Sequence, residues 1–316
     1  MTGTVALTGA SGFIGGHIAQ ALVGAGWRVR VLMRRPASRA ALASPPVEVV
    51  PGALDDPASL RRLVSDAAAV VHVAGLVKAR SRRAFFQVNA DGVANLLDAA
   101  LAQGKAPRVL LISSLAAREP GLSAYAASKR AGESVLAARG RTLPWTVLRP
   151  PVVYGPRDRN TLPFFRAVSR GLGLLLAPDA ARVSFLHVAD LSGAVLALLD
   201  AGDVTHGQTY EIHDGQPGGH TWRELIDTAA AHLGTRPRMV RVPRRVLGAA
   251  AHVNRLVALA AGRAPIFSPD KVREIHHLDW ICHDTRWIEH MAWRPLMPLS
   301  AGFADTIDWY RSENWL

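Results

Sequence analysis

Tyr125 and Lys129 stand four residues apart in the stretch SAYAASKRAGE. On a helix that spacing puts both side chains on one face, where they can reach a common cleft. The chemistry such a pair suits is proton transfer. A free phenol ionises at about pH 10, too high for an efficient base near neutrality. A nearby ammonium favours the phenolate and draws it toward the range in which proton transfer is effective. A plain helix with a half-buried tyrosine and a surface lysine would show the same spacing, so the surroundings decide. Just upstream, the apolar run RVLLISS closes on two hydroxyls, Ser113 and Ser114.

A second group is suited to an anion. LTGASGFIGG carries Gly9, Gly12 and Gly15 in the spacing G-x-x-G-x-x-G. It follows a strand-like run directly and opens a helix. In that setting Gly9 permits the tight turn, Gly12 lets a pyrophosphate approach the backbone, and Gly15 lets the helix pack close to the sheet. The helix N-terminus then offers free N–H groups to the phosphates. The second strand ends VLMRRP, with Arg34 and Arg35 and no carboxylate. An acid there would bind the ribose hydroxyls of NAD, whereas two guanidiniums suit a 2′-phosphate. NADP is therefore favoured over NAD, with a solvated surface pair as the plain alternative.

These groups need a scaffold, and the first half of the chain supplies an alternating one. TVALTGA, RVRVLMR, VEVVPG, AVVHVAG, RVLLISS and WTVLRPPVVYG read as six strands. Between them come helices at Phe13–Ala25, Pro57–Ala67, a long one over FFQVNADGVANLLDAALAQG stopped by a left-handed Gly104, and Tyr125–Arg139. Several strands are apolar on both faces, as a parallel sheet covered by helices requires. The expected fold is α/β, a Rossmann-type doubly wound parallel sheet, with a smaller, mostly helical C-terminal region. Residues 1–155 form the dinucleotide half. SFLHVADLSGAVLALLDAG, about 183–200, returns to it as one more strand and helix, with Asp190 as helix N-cap. Residues 156–182 and 201–316 are left for the substrate.

The chain has 316 residues, 37 Lys and Arg against 25 Asp and Glu, and a formal charge of +12. The basic residues are spread out, with local groups at Arg80, Arg82 and Arg83 and at Arg241, Arg244 and Arg245. Neither zinc-finger spacing nor an RNA-binding aromatic motif accompanies them, which argues against nucleic acid. The single cysteine, Cys282, excludes an internal disulfide and fits a reducing compartment. No apolar run reaches the roughly 18 residues of a membrane span, and no secretory n-region precedes the first strand. A cytoplasmic protein without stable membrane insertion is expected. Val246–Ala261 is the most apolar stretch, broken by His252, Asn254 and Arg255. Packing against the body of the protein is its expected fate; if exposed, it would favour a hydrophobic substrate or a membrane surface. His276, His277, Trp280 and His283 lack metal-ligand spacing, so no metal is expected.

TGASGFIG, VVHVAG, VNADGVANLLDAA, LLISS, YAASK and RPPVVYGP occur in that order. Together they resemble the short-chain dehydrogenase/reductase superfamily, in its extended branch of epimerases, dehydratases and reductases. The first 200 or so residues carry the likeness, and the C-terminal third carries it more loosely through SFLHVADL and DWYRSENWL. The resemblance implies that Tyr125 is the catalytic acid/base, Lys129 its partner and ribose ligand, and Ser114 the third catalytic member. It also places Gly9, Ser11, Gly12, Phe13, Ile14, Gly15, Arg34, Arg35, Leu54, Ala74, Gly75, Asn89, Lys129, Pro150 and Val153 along the dinucleotide. One departure is GALDD, where Ala53 stands for the family's adenine-binding Asp; Asp55 or Asp56 could compensate.

The reaction implied is hydride transfer between a nicotinamide and a carbonyl or carbinol carbon of a small molecule, closest in pattern to the dihydroflavonol reductase and 3β-hydroxysteroid dehydrogenase groups. The alternative is a nucleotide-sugar epimerase or dehydratase holding NAD tightly. Those enzymes place an arginine and an acid in the strand before HV. Here Val183 and Ser184 occupy the two positions and Arg182 is displaced by one. Arg157, Arg159 and Arg182 are the side chains left to hold an anionic substrate. A third reading, a non-catalytic dinucleotide-binding regulator or assembly subunit, sits poorly with the presence of both Tyr125 and Lys129. Family members often pair as homodimers, which makes a homodimer possible here.

Overall fold

The computed structural model describes residues 3–34, 47–265 and 267–316. Arg35, one of the two expected 2′-phosphate ligands, lies outside them. In chain order the first elements are β1 (Thr4–Thr8), α1 (Phe13–Gly24), β2 (Arg28–Met33), β3 (Glu48–Pro51), α2 (Pro57–Val64), β4 (Ala67–His72), α3 (Arg82–Phe86), α4 (Gly92–Leu101), β5 (Arg108–Ile112), α5 (Ala124–Arg139) and β6 (Trp145–Arg149). There follow β7 (Val152–Tyr154), α6 (Leu162–Ser169), β8 (Leu172–Leu175), β9 (Arg182–Val183), β10 (Phe185–His187), α7 (Val188–Asp200), β11 (Gln208–Glu211) and β12 (His220–Thr221). The last are α8 (Trp222–Leu233), β13 (Arg238–Arg241), α9 (Arg244–Ala260), α10 (Pro269–Ile275), β14 (Asp279–Trp280), α11 (Trp287–His290) and α12 (Leu299–Ser312).

Two compact units result: residues 1–150, 191–212 and 284–294, and residues 151–190, 213–283 and 295–316. The first holds a seven-stranded sheet in the order β11-β6-β5-β4-β1-β2-β3, every pair parallel. This is the Rossmann-type α/β fold. Its strands are buried because helices cover the sheet: Val5, Ala6, Leu7, Val31, Val70, Val71 and Leu110 have no exposed surface. The strand order reverses between β1 and β4, and such a switch point is where open α/β sheets bind ligands, beyond the strands' carboxyl ends.

The second unit is built from short strands and helices around an aromatic core. Tyr154, Phe165 and Phe303 form its centre, with Phe303 edge-on to both other rings. Here the structure corrects several expectations. WTVLRPPVVYG is two strands, not one, because Pro150–Pro151 removes two ladder donors. The strand at 185–187 does not join the large sheet; it pairs with β7. The strand that extends the large sheet is β11, in register with β6 from Gln208–Thr146 to Glu211–Arg149. Asp190 lies inside α7 rather than at its cap, and its carboxylate accepts the backbone N–H groups of Leu296 and Met297 at 2.9 and 3.0 Å.

The long helix expected over 85–104 runs without a gap from Arg82 to Leu101 but is not uniformly α-helical. A wide π turn at Gln87–Asp91 separates α3 from α4. α4 stops at Leu101 with Ala102 at φ −77°, so Gly104 is not its left-handed cap. α9 does not pack against the body over most of its surface: only Leu247 and Ala251 are buried. Among the described residues, no helix is long and apolar enough to cross a membrane.

Candidate active site

The glycine loop leaves β1 through Gly9 at φ +78°, a left-handed conformation that favours glycine. A Cβ there would also lie 2.7 Å from the Ala74 backbone nitrogen. The Gly12 N–H closes the turn on the Gly9 carbonyl at 2.9 Å. A Cβ on Gly15 would lie 2.2 Å from that same carbonyl oxygen, so the first turn of α1 can approach the loop only as glycine. α1 has no side-chain cap at its N-terminus. Its first N–H groups therefore remain for an anion. Ser11 and Gly12 are exposed, and Phe13 and Ile14 are half-buried. A compact backbone cradle with uncapped donors fits a dinucleotide pyrophosphate.

Thr8, at the end of β1, ties this loop to the next strand. Its Oγ1 accepts the N–H groups of Val73 and Ala74 at 3.2 and 3.1 Å and lies 2.8 Å from His72 Nδ1. With both N–H groups accepted, the Thr8 hydroxyl proton points at Nδ1. His72 is then the neutral Nε2–H tautomer. Its pKa is lowered to about 3, first by burial and then by the charge of Lys129. Ala74 and Gly75 extend from this anchor across the switch point.

Asn89, in the π turn, holds the following loop. Its Oδ1 accepts the Leu76 N–H at 2.7 Å, and its Nδ2 donates to the Leu76 carbonyl at 3.0 Å and to Ser128 Oγ at 2.9 Å. Ser128 in turn donates to the Tyr125 carbonyl at 2.7 Å. A wide turn of this kind inside a helix often marks a functional site. Gly132 lets α5 come close: a Cβ there would sit 2.3 Å from the Asn89 carbonyl oxygen. The helix bearing Tyr125 and Lys129 is thus pinned to the loop bearing Gly75.

α5 begins at a cap, Ser123, whose hydroxyl accepts the Ala126 N–H at 2.9 Å. Tyr125 sits half-buried in its first turn, 6.2 Å ring to ring from Phe85. Lys129, one turn on, is buried, and its Nζ donates to the Ile112 carbonyl at 2.8 Å. Gly75 lies over the ammonium: a Cβ there would be 3.7 Å from Nζ. Burial lowers the Lys129 pKa to about 8, against the opposing pull of Glu133.

The two serines after Ile112 part company. Ser113 is buried and donates to Glu133 Oε1 at 2.5 Å. Glu133 also receives Arg149 through Nε at 2.9 Å and through a second nitrogen at 2.6 Å. Ser114 is only half-buried; its Oγ accepts the Ala116 N–H at 3.2 Å, and among the described residues its own O–H has no acceptor. The Leu115 N–H bonds the Pro150 carbonyl at 2.9 Å, which seats this turn on the end of β6. Ser113 is thereby a structural hydroxyl and Ser114 an available one.

The other expected positions are more scattered. Leu54 packs on Gly92 of α4, and its carbonyl accepts Asn95 at 2.9 Å. Asp56, one of the two candidates for the missing adenine ligand, caps α2: its carboxylate accepts the Ala58 and Ser59 N–H groups, and the Ser59 N–H bond holds its pKa down. Arg34 is exposed just past β2. Val153 lies on β7 in the second unit, in register with Leu186. There too, Arg159 stacks over Trp315 at 4.4 Å and Arg182 faces Glu224 at 3.9 Å.

A family model described as "NAD dependent epimerase/dehydratase family" matches residues 5–212. The chain belongs to that family. Its likeness to the ceramide reductase of Caulobacter vibrioides is 39% identity over 315 residues, 99% of this chain and 96% of that one. A ketoreductase of Stigmatella aurantiaca acting on a farnesylated dihydroquinoline oxide is 25% identical, with 84% of this chain and 89% of that one aligned. Among solved structures, the UDP-glucose 4-epimerase of Thermotoga maritima superposes with a TM-score of 0.77 over 99% of this chain and 100% of that one, at 19% identity. That last likeness is one of fold. As a member of the epimerase/dehydratase family with reductase relatives, the protein is an NAD(P)-dependent oxidoreductase.

Thr8, Gly132, Glu133 and Arg149 are parts of the site's framework that sequence spacing does not single out. Their partners lie 16 to 66 residues away in the chain, and only the Thr at the end of TVALT next to the glycine loop offers a local hint.

Proposed function

We propose that the protein is an NADP(H)-preferring reductase that moves a hydride between the nicotinamide and the ketone or carbinol carbon of a long-chain, ceramide-like lipid. The observation that carries the chemistry is the buried Lys129 ammonium, fixed on the Ile112 carbonyl one turn from Tyr125 and beside Gly75. The observation that carries the substrate class is the end-to-end likeness to a ceramide reductase, supported by a ketoreductase relative whose named substrate bears a farnesyl chain.

When bound, the nicotinamide supplies or takes the hydride. Tyr125 gives the proton to the substrate oxygen in reduction and removes it in oxidation. Lys129 keeps positive charge near the phenol and holds the ribose. The free O–H of Ser114 donates to the same substrate oxygen and stabilises the charge that develops there. In a ceramide, the group a nicotinamide can interconvert is a carbinol of the long-chain base with its ketone. Gly9, Gly12 and Gly15, with the α1 N-terminus, hold the pyrophosphate. Arg34 holds the 2′-phosphate of NADP, supported by the absence of any carboxylate where β2 ends.

The epimerase reading has less support. Val183 and Ser184 are buried where an arginine–acid pair would be needed, and Arg159 and Arg182 are already engaged. The test is NADPH consumption with a ceramide whose long-chain base carries a ketone, against NADH with the same lipid and against NAD-dependent interconversion of UDP-hexoses. Turnover of the lipid with NADPH is expected. Hexose interconversion without lipid turnover would overturn the reading.

A further inference from the structure

We propose that α9 is a docking helix for an anionic lipid bilayer, lying in the membrane interface with its apolar stripe among the acyl chains and its arginines on the lipid phosphates. One side of α9 holds it to the protein: Leu247 and Ala251 pack with Val272 of α10. The opposite side is apolar and uncovered. Val246, Val253, Leu256 and Val257 are 55, 60, 69 and 62% exposed. At positions i, i+7, i+10 and i+11 they form one stripe, and Ala249 and Ala260, also exposed, fill it. Four of the twelve large exposed hydrophobic side chains among the described residues fall on this one helix, so the stripe is a patch rather than scatter.

The charge around the stripe has one sign. From residue 228 to 269 there are seven arginines and no aspartate or glutamate. Arg244, Arg245 and Arg255 are on the helix and exposed, and Arg263 is exposed just beyond it. Arg241 is paired with Asp179; among the described residues Arg244, Arg245, Arg255 and Arg263 have no ion pair. A second copy of the chain seated on this face would bring two unpaired arginine sets together. A bilayer of anionic lipid instead offers hydrocarbon for the stripe and phosphate for the guanidiniums. The helix is 17 residues long, short of the roughly 20 that span a bilayer, and polar on one side, so it lies in the interface rather than crossing it. Such docking goes beyond the reductase reading and does not depend on it, because it can be read without substrate or cofactor.

The experiment is co-sedimentation of the full chain with vesicles of equal parts phosphatidylcholine and phosphatidylglycerol, and with vesicles of phosphatidylcholine alone. Binding to the anionic vesicles is expected, weakened by salt and much weaker on the neutral ones. Val253→Asp with Leu256→Asp should cut it by at least about tenfold, and Arg244→Gln and Arg245→Gln by about fivefold each, with unchanged circular dichroism and NADPH affinity. Absence of binding, equal binding to both vesicle types, or full binding by the Val253→Asp/Leu256→Asp variant would overturn the proposal. Self-association in the absence of vesicles, abolished by the same two substitutions, would overturn it too, by assigning the stripe to a second copy.

Discussion

Lys129 and Ile112 meet where α5 crosses the end of β5, the ammonium donating to the strand's last carbonyl at 2.8 Å. That bond fixes a cation at the sheet's carboxyl edge, two residues before Ser114. Lys129→Met should abolish most turnover and move the Tyr125-dependent limb of the pH–rate profile to higher pH, since the charge favouring the phenolate is gone. Steady-state pH profiles of both forms check this; an unmoved limb would separate Lys129 from the phenol.

The same lysine should leave a mark on stability. Its pKa in the fold is lowered to about 8 from a reference of 10.5, chiefly by burial. Between those values the unfolded chain keeps a proton that the folded one has released. The lysine's contribution therefore rises with pH across that window, by up to about 3 kcal/mol, and below about pH 8 the folded protein carries the full cost of a buried ammonium. Urea denaturation of wild type and Lys129→Met at pH values on either side of the window should show the wild type gaining on the variant as pH rises.

Ser113 and Ser114 should respond oppositely. Ser113→Ala removes a donor from buried Glu133 and should cost about 1–3 kcal/mol of stability, while the folded variant still turns over. Ser114→Ala should leave stability near that of wild type and lower kcat by about 10²–10³. Thermal unfolding and kinetics on the same two preparations distinguish them.

Glu133 and Arg149 form a part-buried pair with two bonds of 2.9 and 2.6 Å. Glu133→Ala leaves the guanidinium without its main partner and should destabilise the protein by about 3–5 kcal/mol. Adding Arg149→Met should recover much of that loss. A double variant no better than the single one would show that the pair itself matters less than the packing around it.

Gly15→Ala should abolish dinucleotide binding, because its Cβ would meet backbone 2.2 Å away. Gly24→Ala, at the end of the same helix with nothing within 4 Å, is the matched control. It should bind normally and be stabilised by about 0.5–1 kcal/mol. Arg34→Ala should weaken NADPH by about tenfold and leave NADH unchanged.

Much of this architecture is legible from local signals. The glycine loop and the strand–helix alternation depend on residues close in sequence, and the parallel sheet follows from them. Which short strand joins which sheet does not. The runs at 185–187 and 208–211 are both brief, and of the two only β11 pairs with β6. Long-range ties such as Thr8 to Ala74 and Glu133 to Arg149 leave no periodic trace. The π turn at Asn89 sits inside a continuous helical pattern, and it is fixed by hydrogen bonds to Leu76 and Ser128 rather than by propensity. α9 reads as an ordinary amphipathic helix; that its apolar stripe faces outward depends on which side packs against α10.

The most direct test follows the hydride. NADPH deuterated at the reactive nicotinamide carbon, incubated with a ceramide bearing a ketone on its long-chain base, should yield a carbinol carrying one deuterium on the new C–H. Tyr125→Phe should reduce that product to background. Unlabelled product, no product, or full labelling by Tyr125→Phe would contradict the account.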